Sequence, residues 1–279
     1  MALVPLVAAA VCPHPPLLVP EVAGAAVAEL DDLRIACDAV VARLLAAEPD
    51  RIVLVGGGPV TTTFGVAEHG SLRGYGVDLR VPLSPTGADA VDAAGADAVG
   101  VTGADAVGDA RLPLSLTLGA WLLGRSGTAL PRSAVAVAAD EPADRCAALG
   151  AGLLGASPPT VGRPGAGLSG GASGRVALLV LGDGSACRGE RSPGYDDPRA
   201  EPYDQAVARA LAGADTGGLL GLDAELSAGL KAAGRGPWQV LAGAVLAAGG
   251  PWHGELAYAG APFGVTYLVA SWTPAGAAR

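Results

Sequence analysis

The first apolar run of the chain ends in a histidine set between prolines: Val7 to Val11 leads into Cys12-Pro13-His14-Pro15-Pro16. An imidazole at the carboxyl end of a buried strand stands where α/β proteins place their ligands, and it can serve as metal ligand, general base or hydrogen-bonding anchor. The bland alternative is a ring that bonds the backbone of its own turn. Any active role requires partners, and the chain offers few. Candidates for a pocket around His14 are Gly57 and Gly58 in Gly56-Gly57-Gly58-Pro59, Asp183, Ser185 and Cys187 in Gly182-Asp183-Gly184-Ser185-Ala186-Cys187-Arg188, and Arg235. The other two histidines are His69, in Ala67-Glu68-His69-Gly70, and His253, in a turn context after Trp252. His14 is the first candidate metal ligand and His69 a substitute second one, with Glu68, Asp183 and Glu255 as available carboxylates. For Asp183 the favoured role is to accept N–H bonds within its own turn.

Apolar β-branched runs alternate with Ala-rich helical runs, the pattern of a sheet covered on both faces by helices. The fold class is therefore α/β, a single domain over residues 1–279 with a central, mostly parallel or mixed sheet. Strands are expected at Leu3 to Val11, Arg51 to Val55, Val77 to Pro82, Ala134 to Ala138, Arg175 to Leu181 and Gly264 to Trp272. Helices are expected at Val22 to Ala47, Leu114 to Leu123, Pro142 to Leu154, Pro202 to Leu211, Ala224 to Ala233 and Trp238 to Ala248. In the first helix, Leu33, Cys37, Val40 and Leu44 fall at three- and four-residue spacing, which makes Cys37 a core residue rather than a reactive thiol. Two segments read as loops of biased composition. Gly-Ala-Asp-Ala-Val begins at Gly87, Gly95 and Gly103, and residues 162–174 are rich in Gly and Ser.

The chain has 279 residues, 51% of them hydrophobic, and its 27 acidic against 18 basic residues give a net charge of −9. That balance repels phosphate backbones and anionic bilayers, so neither nucleic acid nor a membrane surface is expected as partner. Lys231 is the sole lysine, which removes the phosphate lysine of a Walker A loop. Four dispersed cysteines, with no CxxC pair, signal neither a zinc site nor a disulfide framework and fit a reducing cytoplasm. No basic segment precedes the N-terminal apolar run, which reads as a buried strand rather than a leader. Gly167-Leu168-Ser169-Gly170-Gly171 matches a nucleophile elbow without the strand and helix that such a serine needs. Gly56-Gly57-Gly58 follows a strand, but Pro59 and the wrong spacing spoil a dinucleotide fingerprint.

Three stretches, spanning nearly the whole chain, together resemble the class III extradiol ring-cleavage dioxygenase family, which also includes the MEMO-like proteins. They are the opening strand with Cys12-Pro13-His14-Pro15-Pro16; Leu179 to Arg188 with the downstream Ser192-Pro193-Gly194-Tyr195 and Glu201-Pro202-Tyr203-Asp204; and Ala232 to Trp238 through Pro262 to Tyr267. The resemblance implies an Fe(II) held by two histidines and a carboxylate, with a further histidine as acid and base. Only the first ligand, His14, is present. The second-ligand region reads Val55 to Pro59, the catalytic histidine position falls on Ala186 or Cys187, and Arg235 or a neighbour stands where the ligand glutamate would be. A cation there opposes a divalent metal and could instead bind an anion.

Two functional expectations follow. The first is a member of this fold with a degenerate metal site and no cofactor, binding a small molecule or a protein partner in the vestigial cleft. The alternative is a ring-cleaving dioxygenase with rearranged ligands, taking Fe(II), O₂ and a catechol-like substrate. The chain could also complete its site with another subunit or assemble as a homo-oligomer.

Overall fold

The computed structural model describes residues 3–85, 112–155 and 174–276. Its strands are β1 (Leu6–Cys12), β2 (Arg51–Gly58), β3 (Thr62–Phe64), β4 (His69–Ser71), β5 (Arg80–Pro82), β6 (Arg132–Ala138), β7 (Val176–Leu181), β8 (Trp252–Gly260) and β9 (Tyr267–Pro274). Its α-helices are α1 (Pro20–Ala23), α2 (Asp31–Ala46), α3 (Leu114–Arg125), α4 (Ala143–Leu153), α5 (Ala200–Ala212), α6 (Thr216–Leu220), α7 (Ala224–Gly229) and α8 (Arg235–Ala248).

Seven strands form one mixed sheet in the order β3-β6-β2-β7-β1-β9-β8, and β4 pairs with β5 separately. The middle four, β6, β2, β7 and β1, are parallel, so their carboxyl ends share one edge; β3, β9 and β8 add on antiparallel. Strand alternation divides the core in two. Val53 and Val55 of β2, Val135 and Val137 of β6, and Leu178 and Val180 of β7 face α4, α5 and α8. Ile52, Leu54, Ala134, Ala136, Leu179 and Leu181 face α2 and α3. Both faces of the parallel strands are thus buried, which is why these runs are continuously apolar.

Helices α4 and α8 pack with their backbones in close approach. A methyl at Gly150 would lie 2.0 Å from the Val240 carbonyl oxygen, and one at Gly243 would lie 2.2 Å from that of Ala147. Reciprocal glycines allow the two backbones to touch. Farther along, Asp215 and Asp223 cap α6 and α7 through the N–H groups of Gly218 and Leu226.

Several expectations change. The helix read over Val22 to Ala47 is broken: after α1, Gly24 takes φ +54° and a 3₁₀ stretch runs to Leu30 before α2 begins. The strand read over Val77 to Pro82 shortens to β5 and stands outside the main sheet. His253 lies on β8, an exposed edge strand, rather than in a turn. The Gly-Ala-Asp-Ala-Val repeat, Ser169 and all but Gly174 of the second biased loop lie outside the described residues.

Two glycines separate packing from propensity. Gly150→Ala is expected to destabilise the protein by about 1–3 kcal/mol through overpacking, although alanine is the better helix former. Gly124→Ala, in open space on α3, is expected to be neutral or stabilising by up to about 1 kcal/mol. Urea denaturation of both variants reads the two signs directly.

Candidate functional site

Parallel pairing of β1 with β7 aligns Cys12 with Leu181, and one further bond, from the Gly182 N–H to the Cys12 carbonyl (3.0 Å), carries the pairing past the strand ends. His14 and Asp183 are brought together there. The His14 backbone N–H donates to Asp183 Oδ1 at 2.8 Å, and the ring Nδ1 stands 3.6 Å from the same oxygen. The longer distance exceeds a hydrogen bond, so it is an electrostatic contact. Neither ring nitrogen is hydrogen-bonded among the described residues, and Nδ1 is fully enclosed. Both side chains retain slight exposure, 12% for His14 and 14% for Asp183.

The turn that carries Asp183 is clamped from every side. The Gly184 N–H donates to Thr266 O, the Thr266 N–H to Ser185 O, the Ala186 N–H to Leu230 O, and the Gly234 N–H to Asp183 O. Backbone contact with the start of α8 is close, since a methyl at Gly182 would lie 2.5 Å from Gly234 Cα and 3.0 Å from Trp238 Nε1. Trp238 Nε1 is itself buried without a partner, so two enclosed polar atoms, this one and His14 Nδ1, flank the Asp183 turn without hydrogen bonds. Such atoms are uncommon in folded proteins, and strain or function commonly accounts for them.

Beneath the turn lies Asp204, a carboxylate on α5 that is 3% exposed. It accepts from the Ser185 N–H (2.8 Å), the Ser185 hydroxyl (2.5 Å) and the Thr266 hydroxyl (2.6 Å), and Arg188 Nη1 stands 3.6 Å away. A buried charge is tolerated when its lone pairs are filled in this way. Asp204, Thr266 and Trp238 therefore build the site although sequence reasoning did not assign them to it. Their signal, the Tyr203-Asp204 start of a helix and the Thr266-Tyr267 start of a strand, names no role without the fold. Tyr267 also belongs here: burial raises its phenol above the ordinary value, and the nearby Asp183 charge adds to the effect.

The remaining candidates take other places. Gly57 and Gly58 end β2 beside the site, with the Ser115 hydroxyl donating to the Gly57 carbonyl at 2.6 Å and the Ala233 carbonyl close by. Ser185 is wholly buried on Asp204 and presents no free hydroxyl. Cys187 faces the core, its thiol against the Gly194 and Leu230 carbonyls and pushed up by burial, so it is not a reactive group in a cleft. Arg235, expected to open an anion site, turns instead to the end of β6. Its guanidinium donates to Ala139 O (2.7 Å), Glu141 O (2.9 Å) and Gln239 Oε1 (2.9 Å) and is 3% exposed. Five donors on a planar fork satisfy carbonyls that the strand end leaves open.

His69 sits on the separate β4–β5 hairpin, buried, with Nδ1 3.1 Å from Arg80 Nη2. Glu255 is paired with Arg43 at 2.6 Å. Among the described residues no three His, Cys, Asp or Glu side chains converge as a metal-binding group. The donors present do not fit the facial two-histidine, one-carboxylate arrangement that Fe(II) would require. What the site offers is an imidazole beside a carboxylate that anchors its backbone, with ring nitrogens open to hydrogen bonding.

Asp204→Ala is expected to destabilise the protein by about 3–5 kcal/mol, because it strands the Ser185 and Thr266 donors and removes the partner of Arg188. Guanidinium denaturation followed by tryptophan fluorescence measures the loss.

No protein-family model matches the chain, and no curated protein sequence does. Among solved structures, the chain is similar to the uncharacterized protein JW3007 from Escherichia coli K12. The two share 15% sequence identity and a TM-score of 0.50, over 96% of this chain and 99% of that one. A likeness at this identity speaks for the α/β fold alone.

Proposed function

We propose that this chain is a metal-poor relative of the class III extradiol dioxygenase fold that uses the His14–Asp183 pair to bind a small polar molecule. The observation that carries the reading is the state of His14. Its backbone is anchored on Asp183, its ring stands beside the same carboxylate, and neither nitrogen is hydrogen-bonded among the described residues. A purely structural histidine commonly bonds the backbone of its turn, whereas this ring leaves its hydrogen-bonding capacity unused. Further support comes from the places a metal would need. Glycine stands at the end of β2, Arg235 is committed to carbonyls, and His69 is held by Arg80 on another sheet.

In this reading the protein supplies recognition rather than redox chemistry. Asp183 anchors the His14 backbone, which places the imidazole beside it, and Nε2 meets a donor or acceptor of the ligand. The carboxyl edge of the parallel strands is the place where open α/β sheets gather such groups. The ligand is a small molecule, and a protein partner or a second copy of the chain is an addition that the site does not require.

Elemental analysis after anaerobic purification with Fe(II) tests the proposal. Iron well below one equivalent, equal in the parent protein and in His14→Ala, is the expected result. Near-stoichiometric iron that disappears in His14→Ala would restore the ring-cleaving dioxygenase reading and overturn this one.

A further inference from the structure

At the opposite edge of the sheet, where β6 begins, Arg132 is 4% exposed. Its Nη2 donates to Thr128 O (2.7 Å) and Leu123 O (3.3 Å), its Nε is enclosed without a partner, and among the described residues its Nη1 makes no hydrogen bond. Burial pushes the guanidinium down to about 10, which leaves it a cation at neutral pH. Among the described residues no carboxylate pairs with it. The neighbouring arginines are engaged: Arg125 holds Asp38 through two bonds and lies over the Trp121 ring at 5.1 Å, and Arg80 contacts His69.

Arg132 lines a groove of about 520 Å³ between the β4–β5 hairpin and the C-terminal half of α3. Val81, Pro82, Ala120 and Trp121 give it apolar walls. A buried, uncompensated cation in an apolar groove favours an anion with an apolar body, because the anion supplies the missing charge and the body covers the walls. That the groove carries positive charge in a chain of net charge −9 sharpens the match.

We infer that this groove is a binding site for an amphipathic monocarboxylate, whose carboxylate accepts from Arg132 Nη1, the donor that neither the backbone nor enclosure takes up. The site is separate from His14, which follows the carboxyl end of β1, so the two assignments stand or fall independently.

Isothermal titration with octanoate at neutral pH, beside 1-octanol as the neutral match, tests the inference. Saturable one-to-one binding of octanoate is expected, at least tenfold tighter than octanol and weakened at least tenfold in Arg132→Met. Gly124→Leu is a second variant, since Gly124 lines the groove and a Cβ there meets nothing within 4 Å. Its leucine is expected to fill the groove and weaken octanoate at least tenfold without unfolding α3. Absence of saturable octanoate binding, octanol binding as tight as octanoate, or undiminished binding by folded Gly124→Leu would overturn the assignment, whether or not Arg132→Met folds.

Discussion

The site depends on one buried charge. Asp204 is taken out of water by α5 and has its oxygens filled by Ser185 and Thr266, so a single carboxylate ties the turn after β7 to the start of β9. Together with the backbone bonds of Gly184, Thr266, Ala186 and Gly234, those bonds hold the turn on the course that sets Asp183 beside His14. The packing admits no side chain at Gly182 or Gly184 either. A methyl at Gly184 would lie 2.7 Å from Asp204 Oδ1, and one at Gly182 would strike the backbone of Gly234. Hydrogen bonding and steric exclusion therefore fix the same conformation, and the His14–Asp183 pair inherits its geometry from both.

Arginine is this chain's means of closing backbone ends. With a single lysine in the sequence, buried cationic contacts fall to guanidinium groups, and three of them serve carbonyls. Arg34 gathers the carbonyls of Leu17, Leu18 and Val27, which hold the broken helical region after β1. Arg235 closes the end of β6, and Arg132 the loop that precedes it. A planar fork can satisfy several acceptors at once where an ammonium offers a point charge. The three differ in what remains unspent: Arg34 also reaches Asp31 and Arg235 reaches Gln239, whereas Arg132 retains free donors.

Much of the scaffold was legible because burial writes itself into the sequence. Ile52-Val53-Leu54-Val55 and Ala177 to Leu181 read as strands buried on both faces, and the α2 stripe of Leu33, Cys37, Val40 and Leu44 lies in the core as its spacing implied. Strand β8 escaped because only Gly254 along it is buried, so its hydrophobic signal is weak. Of the β4–β5 hairpin only β5 was read, within an overlong Val77 to Pro82, and β4 was hidden, each strand being three residues long. At the site, His14 and Asp183 were legible from their places at strand ends. The fate of Arg235 was not, since the carbonyls it bonds stand more than ninety residues earlier in the chain. Asp204 was equally silent, a helix-start carboxylate whose partners come from a turn and a strand distant in sequence.

The most direct test of a metal-free His14 anchored by Asp183 is the long-range ¹H–¹⁵N spectrum of the three histidine rings. It is assigned with His14→Ala and recorded anaerobically before and after one equivalent of Fe(II). The His14 resonances are expected to keep their positions and intensities in both spectra. Loss or paramagnetic displacement of the His14 signals at one equivalent, with His253 unmoved, would contradict the assignment and place a metal at the carboxyl edge.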